Sequence, residues 1–182
     1  MDPLGAPQRR RLTDALATAE RLIRSATCIV ESVDVASDEA VAAVCRYFDE
    51  LDRRFSGGFD AGEATTSDLE AMCPPSGDFL VLRSESGVVA CGGLQRHTRT
   101  VGEIKRMWVD PEWRGCGLAV RLLHALEDRA AELGYREVYL DTNASLTEAI
   151  AMYERAGYRR IERYNDNPYA HHWFARRLSP RR

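Results

Sequence analysis

The chain has 182 residues, of which 45% are hydrophobic and 29% are charged, and its formal net charge is -3. This composition is typical of a globular protein, and the length suits one domain with a sizeable core. The acidic balance argues against a nucleic-acid-binding protein, and no run approaches the ~18 apolar residues of a membrane span. We therefore expect neither nucleic acid nor membrane among the partners.

Cysteine usage and the N-terminal sequence predict a cytoplasmic protein. The five cysteines are scattered without a Cys-x-x-Cys pair, which fits reduced thiols better than a disulfide framework. The N-terminal stretch MDPLGAPQRRRLTD lacks the apolar segment of a secretory signal. No zinc-ligand spacing is present, so no metal site is expected.

The first half of the chain predicts two amphipathic helices and three strands. Ser37 and Asp38 suit the start of the second helix, because their side chains can accept hydrogen bonds from its first N–H groups. In chain order the elements are a helix over 9–25, a strand over 28–35, a helix from 38, and strands over 78–85 and 88–97. The expected apolar faces are Leu12, Leu16, Ala19 and Ile23 in the first helix, and Val41, Val44, Cys45, Phe48, Leu51 and Phe55 in the second.

The second half predicts alternating strands and helices. Its elements are a strand over 101–110, a helix over 117–133, a strand over 136–142, a helix over 147–156, and strands over 158–165 and 171–178. The helix over 117–133 is expected to bury Leu118, Leu122, Leu126 and Ala130. A strand, a helix and a following strand form a right-handed parallel crossover inside a sheet. The order therefore predicts an α/β fold, with a mixed and mostly antiparallel sheet, a central parallel βαβ unit and helices on both faces.

Arg114, Gly115 and Gly117 stand at the turn where a strand passes into a helix. A helix N-terminus offers unpaired N–H groups and the positive end of the macrodipole. Glycine lets a bulky anion approach the backbone, and arginine matches the geometry of phosphate. The turn is therefore either a pyrophosphate site or a plain tight turn that packs the helix against the strand. The sequence RGCGLA fits neither the P-loop nor the dinucleotide-binding glycine pattern.

Two separated motifs resemble those of the GNAT acyltransferases. The pattern Arg-x-x-Gly-x-Ala follows MWVDPEW and resembles motif A of that superfamily. Downstream, EAIAMYERAGY resembles its Ala-x-x-x-Tyr-x-x-x-Gly-Phe/Tyr signature, with Ala149, Tyr153, Gly157 and Tyr158 at the matching positions. The resemblance covers roughly residues 28–178. It divides the chain into an additional N-terminal helix, residues 1–27, and a GNAT acyltransferase domain, residues 28–182.

The resemblance implies that acetyl-CoA binds as a co-substrate. Its pyrophosphate would lie on the turn, and its pantetheine along the backbone of the preceding strand, which parts from residues 137–142. Many relatives carry Asn at the position of Leu146, and here the nearest asparagine is Asn143, which could replace it. The implied cofactor-binding residues are Met107, Trp108, Val109, Arg114, Gly115, Cys116, Gly117, Leu118, Ala119 and Asn143.

Glu103 and Tyr153 are the candidate catalytic residues. Transfer to an amine needs a base, since an amine with a pKa of ~10.4 is protonated near neutral pH. Glu103 lies on a strand that should be almost entirely apolar, and GNAT members often use a glutamate there. Alternatively, Glu103 lies at a solvated strand start or pairs with Lys105. Tyr153 matches the family's tyrosine near the thioester sulfur, and its alternative is a buried ring with a surface hydroxyl.

Three other features have simpler explanations. Cys116, at a helix N-terminus, could be an acylated nucleophile, but it occupies the motif's variable position and no histidine is placed beside it. His171 and His172 point to opposite faces of a strand, so they should not share a metal ion, although either could contact the acceptor. The apolar stripe of the first helix either covers the sheet or docks on a second subunit, which makes a homodimer possible.

The sequence thus predicts an acetyl-CoA-dependent N-acetyltransferase. The acetyl group would pass directly to a primary amine, of a small molecule or a peptide, in a ternary complex. The alternative from another class is a non-catalytic module that senses or sequesters acyl-CoA. The presence of both Glu103 and Tyr153 favours the enzyme, because a sensor has no need of either.

Overall fold

The computed structural model describes residues 5–60, 62 and 69–179. Four helices and a seven-stranded sheet account for most of these residues, and a single turn of 3-10 helix covers Pro111–Trp113. The helices are α1 (Ala6–Thr27), α2 (Asp38–Arg54), α3 (Leu118–Glu132) and α4 (Thr147–Arg155). The strands are β1 (Ile29–Ser32), β2 (Asp78–Ser84), β3 (Gly87–Arg96), β4 (Val101–Val109), β5 (Glu137–Thr142), β6 (Arg159–Ile161) and β7 (His172–Arg177).

The sheet order is β1-β2-β3-β4-β5-β7-β6. Only β4 and β5 run parallel, and α3 connects them, whereas every other neighbouring pair is antiparallel. The predicted mixed sheet with a central βαβ unit is therefore confirmed. The predicted strand over 28–35 is too long, because pairing with β2 ends at Ser32.

Helices cover both faces of the sheet, as predicted. One core packs α3 and α4 against the sheet and includes the four α3 residues that the periodicity selected. The other core packs α2 against the opposite face through Ala40, Ala43 and Val44. The expected burial of Val41 and Cys45 is wrong, since both are exposed. The two alanines are fully buried against the sheet, and Val41 lies on the exposed side of the helix.

Helix α1 is exposed along nearly its whole length. Leu16 is 61% and Ile23 is 67% exposed, so the predicted apolar stripe does not cover the sheet. Contact with the rest of the chain lies near the helix C-terminus, where the Arg24 guanidinium stacks 4.3 Å from the Trp113 ring. In the part of the chain described here, no helix is both long and apolar enough to cross a membrane.

Strands β4 and β5 pair only at their beginnings. Their parallel register runs from Val101 to Glu103 on β4 and then stops. On the other side of β4, Arg106 and Met107 together stand opposite Gly92 of β3, which forms a β-bulge. Arg106 adopts a left-handed backbone with φ of 56°. The bulge bends β4 away from β5 and opens a gap in the middle of the sheet.

Candidate active site

The gap between β4 and β5 opens into a cavity of about 480 Å³. This volume lies within the range of small-molecule sites, ~300–1,000 Å³. Residues from both cores line the cavity, with Met107 and Tyr153 from the α3 side and Tyr47 and Phe48 from the α2 side. A ligand in the gap can therefore be reached from both faces of the sheet.

The glycine turn lies beyond the end of β4. Gly115 and Gly117 have φ of 78° and 82°, and a Cβ built on either would meet no atom within 4 Å. Backbone conformation, not crowding by protein atoms, therefore demands glycine at both positions. Gly117 gives α3 no side-chain cap, and the first turn of α3 carries no acidic residue. The uncapped N–H groups and the dipole suit an anion.

Arg114 is held against the protein by two acceptors. Its Nε and Nη2 donate to the Val109 carbonyl oxygen at 3.0 and 2.9 Å, and Nη2 also donates to the Glu50 carboxylate. Arg114 thereby fixes the end of β4 that leads into the turn. The sequence suggests that Arg114 also binds phosphate. The guanidinium would then have to donate to the phosphate in addition to, or instead of, the Glu50 carboxylate.

Glu50 is a structural neighbour of the site that sequence analysis missed. Its buried carboxylate accepts hydrogen bonds from the Trp108 indole at 3.0 Å and from Arg54 at 3.3 Å, besides Arg114. The Trp108 side chain packs in the α2 core. The sequence does not mark Glu50, because an acid four residues before an arginine in a helix is normally a solvated residue, and its other two partners, Trp108 and Arg114, lie far away in the chain.

Tyr153 of α4 is buried and lines the cavity, and its hydroxyl lies 3.9 Å from the sulfur of Met107, another lining residue. The hydroxyl therefore does not lie at the protein surface. Burial raises the pKa of the phenol, and the negative charge of Asp141 adds to this effect. The phenol stays protonated at neutral pH and is available to donate a proton.

Glu103 is 4% exposed, so it does not lie at a solvated strand start. Its carboxylate accepts hydrogen bonds from Gln95 at 2.8 Å and Tyr164 at 2.9 Å, with Asn165 at 3.3 Å and the Lys105 ammonium at 3.4 Å. It lies behind the cavity wall and does not line the cavity, whereas Lys105 and Asn165 do.

Asp141 of β5 is a second carboxylate, and it lines the cavity directly. Asn167 donates to one of its oxygens at 2.9 Å and Asn165 donates to the other. The Asn165 amide therefore bridges Asp141 and Glu103. Both asparagines belong to the loop between β6 and β7, which folds back over the sheet.

Four aromatic rings form one wall of the cavity, and we call them the aromatic wall: Phe48, Phe55, Phe59 and Tyr169. The Phe59 ring lies 5.3 Å from Phe48, 5.9 Å from Phe55 and 4.8 Å from Tyr169, measured between centroids. Asn143 supports this wall, because its amide donates to the Tyr169 carbonyl oxygen at 2.7 Å.

The structure brings some of the predicted site residues together and leaves others apart. Met107, Asn143 and Tyr153 line the cavity, whereas the turn residues from Arg114 to Ala119 lie outside it. The Cys116 sulfur lies 3.7 Å from the Arg114 carbonyl oxygen. His171 is exposed and accepts a hydrogen bond from the Ala144 N–H at 3.2 Å. Among the residues described, no cluster of three His, Cys, Asp or Glu side chains could hold a metal ion.

Residues 44–158, more than half of the chain, match the model of the Acetyltransferase (GNAT) family. The chain belongs to the GNAT family. This GNAT domain spans the bulged β4, the glycine turn and the Tyr153 helix. Family membership supports acyl-CoA-dependent N-acetyltransfer as the general activity.

Among curated proteins, the GNAT chain is 35% identical to an IAA acetyltransferase of Azospirillum brasilense over 117 residues, which are 64% of this chain and 76% of that protein. It is 32% identical to the uncharacterised N-acetyltransferase YjgM of Escherichia coli K12, over 58% of this chain and 65% of that protein. The first relative is named as an acetyltransferase and the second as an N-acetyltransferase.

Solved structures share the GNAT fold. An acyl-CoA N-acyltransferase of Klebsiella pneumoniae superposes with a TM-score of 0.67 at 27% identity, covering 85% of this chain and 99% of that chain. The N-acetylglutamate synthase of Neisseria gonorrhoeae, solved with coenzyme A and N-acetylglutamate, gives a TM-score of 0.62 at 17% identity over 83% of this chain and 35% of that chain. At that identity the second likeness concerns the fold alone.

Proposed function

We propose that the protein transfers an acetyl group from acetyl-CoA directly to a primary amine within a ternary complex. The observation that carries this proposal is the gap between β4 and β5. It exposes Tyr153 and Met107 on one side and Asp141 on the other, in a single cavity. Donor and acceptor can therefore meet without a covalent enzyme intermediate.

The residues at the end of β4 fit acetyl-CoA. The uncapped N–H groups of α3, together with Gly115 and Gly117, would hold the pyrophosphate, and Arg114 would add positive charge. The pantetheine would lie along the β4 backbone, past Met107. The remaining contacts would come from Trp108, Val109, Cys116, Leu118, Ala119 and Asn143.

The acceptor must lose a proton before it attacks, and the departing thiolate must gain one. We assign the base to Glu103, which reaches the cavity through water because the carboxylate lies behind its wall. We assign the acid to Tyr153, which lines the cavity and whose hydroxyl lies beside the Met107 sulfur. General acid–base catalysis of this kind contributes ~10²–10⁴-fold to a rate.

We extend the proposal to the protein as a whole in three respects. The location is cytoplasmic, and the acceptor is a small-molecule or peptide amine. The N-terminal segment, residues 1–27, is an addition to the GNAT domain of residues 28–182. Its exposed stripe, which includes Leu16 and Ile23, is the surface through which a homodimer would form.

A thiol-release assay with acetyl-CoA and a panel of amines tests the transfer. Direct transfer gives intersecting double-reciprocal lines, and Cys116→Ala retains most of the activity. Parallel lines with a trapped acetyl-Cys116 would replace this mechanism by an acyl-enzyme route. Binding of acetyl-CoA without thiol release from any amine would favour the non-catalytic sensor.

Thermal shift measurements test the cofactor site. Acetyl-CoA should raise the melting temperature, and Gly117→Glu should abolish this shift by adding bulk and like charge. Gly134→Glu is the matched control, since Gly134 also has a positive φ of 88° and open space, but lies at the other end of α3. If acetyl-CoA raised the melting temperature of both variants equally, the pyrophosphate would not bind at the turn.

A further inference from the structure

Asp141 is a cavity carboxylate whose hydrogen-bond donors are neutral. Two asparagine amides hold it, and no Lys or Arg in the described ranges forms an ion pair with it. A carboxylate offers about four acceptor positions, so positions remain for a ligand beside those that Asn165 and Asn167 use. The charge of Asp141 acts on the phenols of Tyr47 and Tyr153, which also line the cavity, and this is consistent with a central position.

The other charged groups that line the cavity already have partners or lie at the surface. The Lys105 ammonium pairs with Glu103 at 3.4 Å, and the Arg106 guanidinium stacks 5.1 Å from the Phe48 ring. Asp60 and Asp166 are exposed, whereas Asp141 is half-buried. Asp141 is therefore the carboxylate best placed to attract a cation into the cavity.

The aromatic wall is fixed relative to Asp141. Asn167 donates to the Asp141 carboxylate at 2.9 Å and accepts from the Tyr169 N–H at 3.0 Å. One asparagine thus sets the position of both the carboxylate and the Tyr169 ring. Phe59 packs against that ring and connects it to the other two rings of the wall. A ligand can therefore contact the carboxylate and the rings at the same time.

We infer that the acceptor is a cationic primary amine with an apolar body, whose ammonium binds Asp141 and whose aryl or alkyl group packs on the aromatic wall. This inference rests on the proposed function, because it names the acceptor of that reaction. Asp141 binds and orients the ammonium, and Glu103 keeps the role of base. Aromatic faces also attract an ammonium, so the wall and the carboxylate favour the same class of ligand.

Acceptors that differ in one property test the inference on the wild-type enzyme. Phenethylamine has both the cation and the ring, ethylamine has the cation alone, and O-benzylhydroxylamine has the ring but is uncharged at neutral pH. We expect the KM for phenethylamine to be the lowest of the three. A KM for ethylamine or for O-benzylhydroxylamine equal to that for phenethylamine would overturn the inference.

Two variants separate the two parts of the site. Asp141→Asn should raise the KM for phenethylamine ~10- to 100-fold, as loss of a partly buried charge partner does, and change that for O-benzylhydroxylamine less than ~3-fold. Phe59→Ala should raise the KM for phenethylamine and leave the KM for ethylamine unchanged. Asp49→Asn is the control for the charge change, since Asp49 is exposed on α2 and lies outside the cavity. An equal effect of Asp141→Asn on both aryl acceptors would assign Asp141 a structural role.

Calorimetric titration keeps the test independent of turnover. If no amine is acetylated, the proposed function fails, but binding of phenethylamine to the CoA-loaded protein can still be measured. Binding that Asp141→Asn weakens by ~10-fold or more and that Asp49→Asn leaves unchanged would support the site. Absence of binding to the wild-type protein would overturn it.

Discussion

Replacing Glu103 by Gln is the sharpest test of the proposed mechanism. The change keeps the shape of the side chain and removes its basicity. Turnover should fall by ~10²–10⁴-fold near neutral pH, which is the usual contribution of a general base. Affinity for acetyl-CoA should barely change, because Glu103 lies near the start of β4 and the cofactor would lie toward Val109. Part of the lost rate should return at high pH, where more of the amine is already neutral.

The structure also indicates how much Glu103→Gln should lower the stability of the protein. Four donors surround the carboxylate, and the amide group of a glutamine would face at least one of them, such as the Gln95 amide at 2.8 Å. One buried hydrogen bond left unmade costs ~1–3 kcal/mol. For a chain of this size that lowers the melting temperature by roughly 2–12 °C. The kinetics should therefore be measured well below the melting transition of the variant.

Glu137→Gln is the matched control on the neighbouring strand. Glu137 pairs at 2.7 Å with Arg159, whose side chain is exposed, so its replacement should cost ~0–1 kcal/mol and leave turnover unchanged. Rates at several pH values and thermal melts of the wild type and both variants complete the assay. Normal turnover of Glu103→Gln at pH 7 would refute the base assignment, and Asp141 or water would then have to accept the proton.

Three further predictions concern single contacts. Tyr153→Phe should lower turnover without recovery at high pH, because the Tyr153 hydroxyl would protonate the leaving thiolate. The control Tyr158→Phe removes a hydrogen bond to Glu127 and should lower only the melting temperature. Glu50→Ala should lower the free energy of unfolding by ~2–4 kcal/mol in urea titrations, because the Trp108 indole and two partly exposed arginines lose their acceptor, and Asp49→Ala should change it by less than ~0.5 kcal/mol. Burial raises the pKa of at least four of the seven tyrosines above the usual 10.0. The four are Tyr47, Tyr153, Tyr158 and Tyr164. The free energy of unfolding should therefore keep the full contribution of these phenols below pH 10 and decrease as the pH rises further. If the phenolate absorbance reached its maximum without loss of ellipticity, this prediction would be contradicted.

The sequence predicts the βαβ unit well because its signals are local. The α3 periodicity selects residues that are all buried, and a parallel crossover has one handedness and a fixed place within a sheet. The buried face of α2 was predicted less well. Hydrophobicity ranks Val41 above Ala40, but close packing against the sheet buries the alanine. The apolar stripe of α1 also does not predict whether this helix packs on the sheet, because packing depends on the surface of other elements that lie far away in the chain.

The candidate site divides in the same way. The glycine turn and Tyr153 belong to short motifs, so their spacing is visible in the sequence. Asp141, Asn165 and the aromatic wall come from three separate segments, and only the folded chain brings them to one cavity. Glu50 is the extreme case, because its role depends on Trp108 and Arg114, which lie 58 and 64 residues away.

The position of Cys116 adds a physical argument for direct transfer. Its sulfur lies on the Arg114 carbonyl oxygen, in the turn beyond the end of β4, and the residue does not line the cavity. Tyr153 and Asp141 both line the cavity at the gap beside the β4 bulge. An acetyl group carried on Cys116 would have to travel from the turn to this gap before it met an amine beside Asp141. A thioester lying along β4, as we propose, would reach the same gap directly, and for this reason we prefer the ternary complex to the acyl-enzyme.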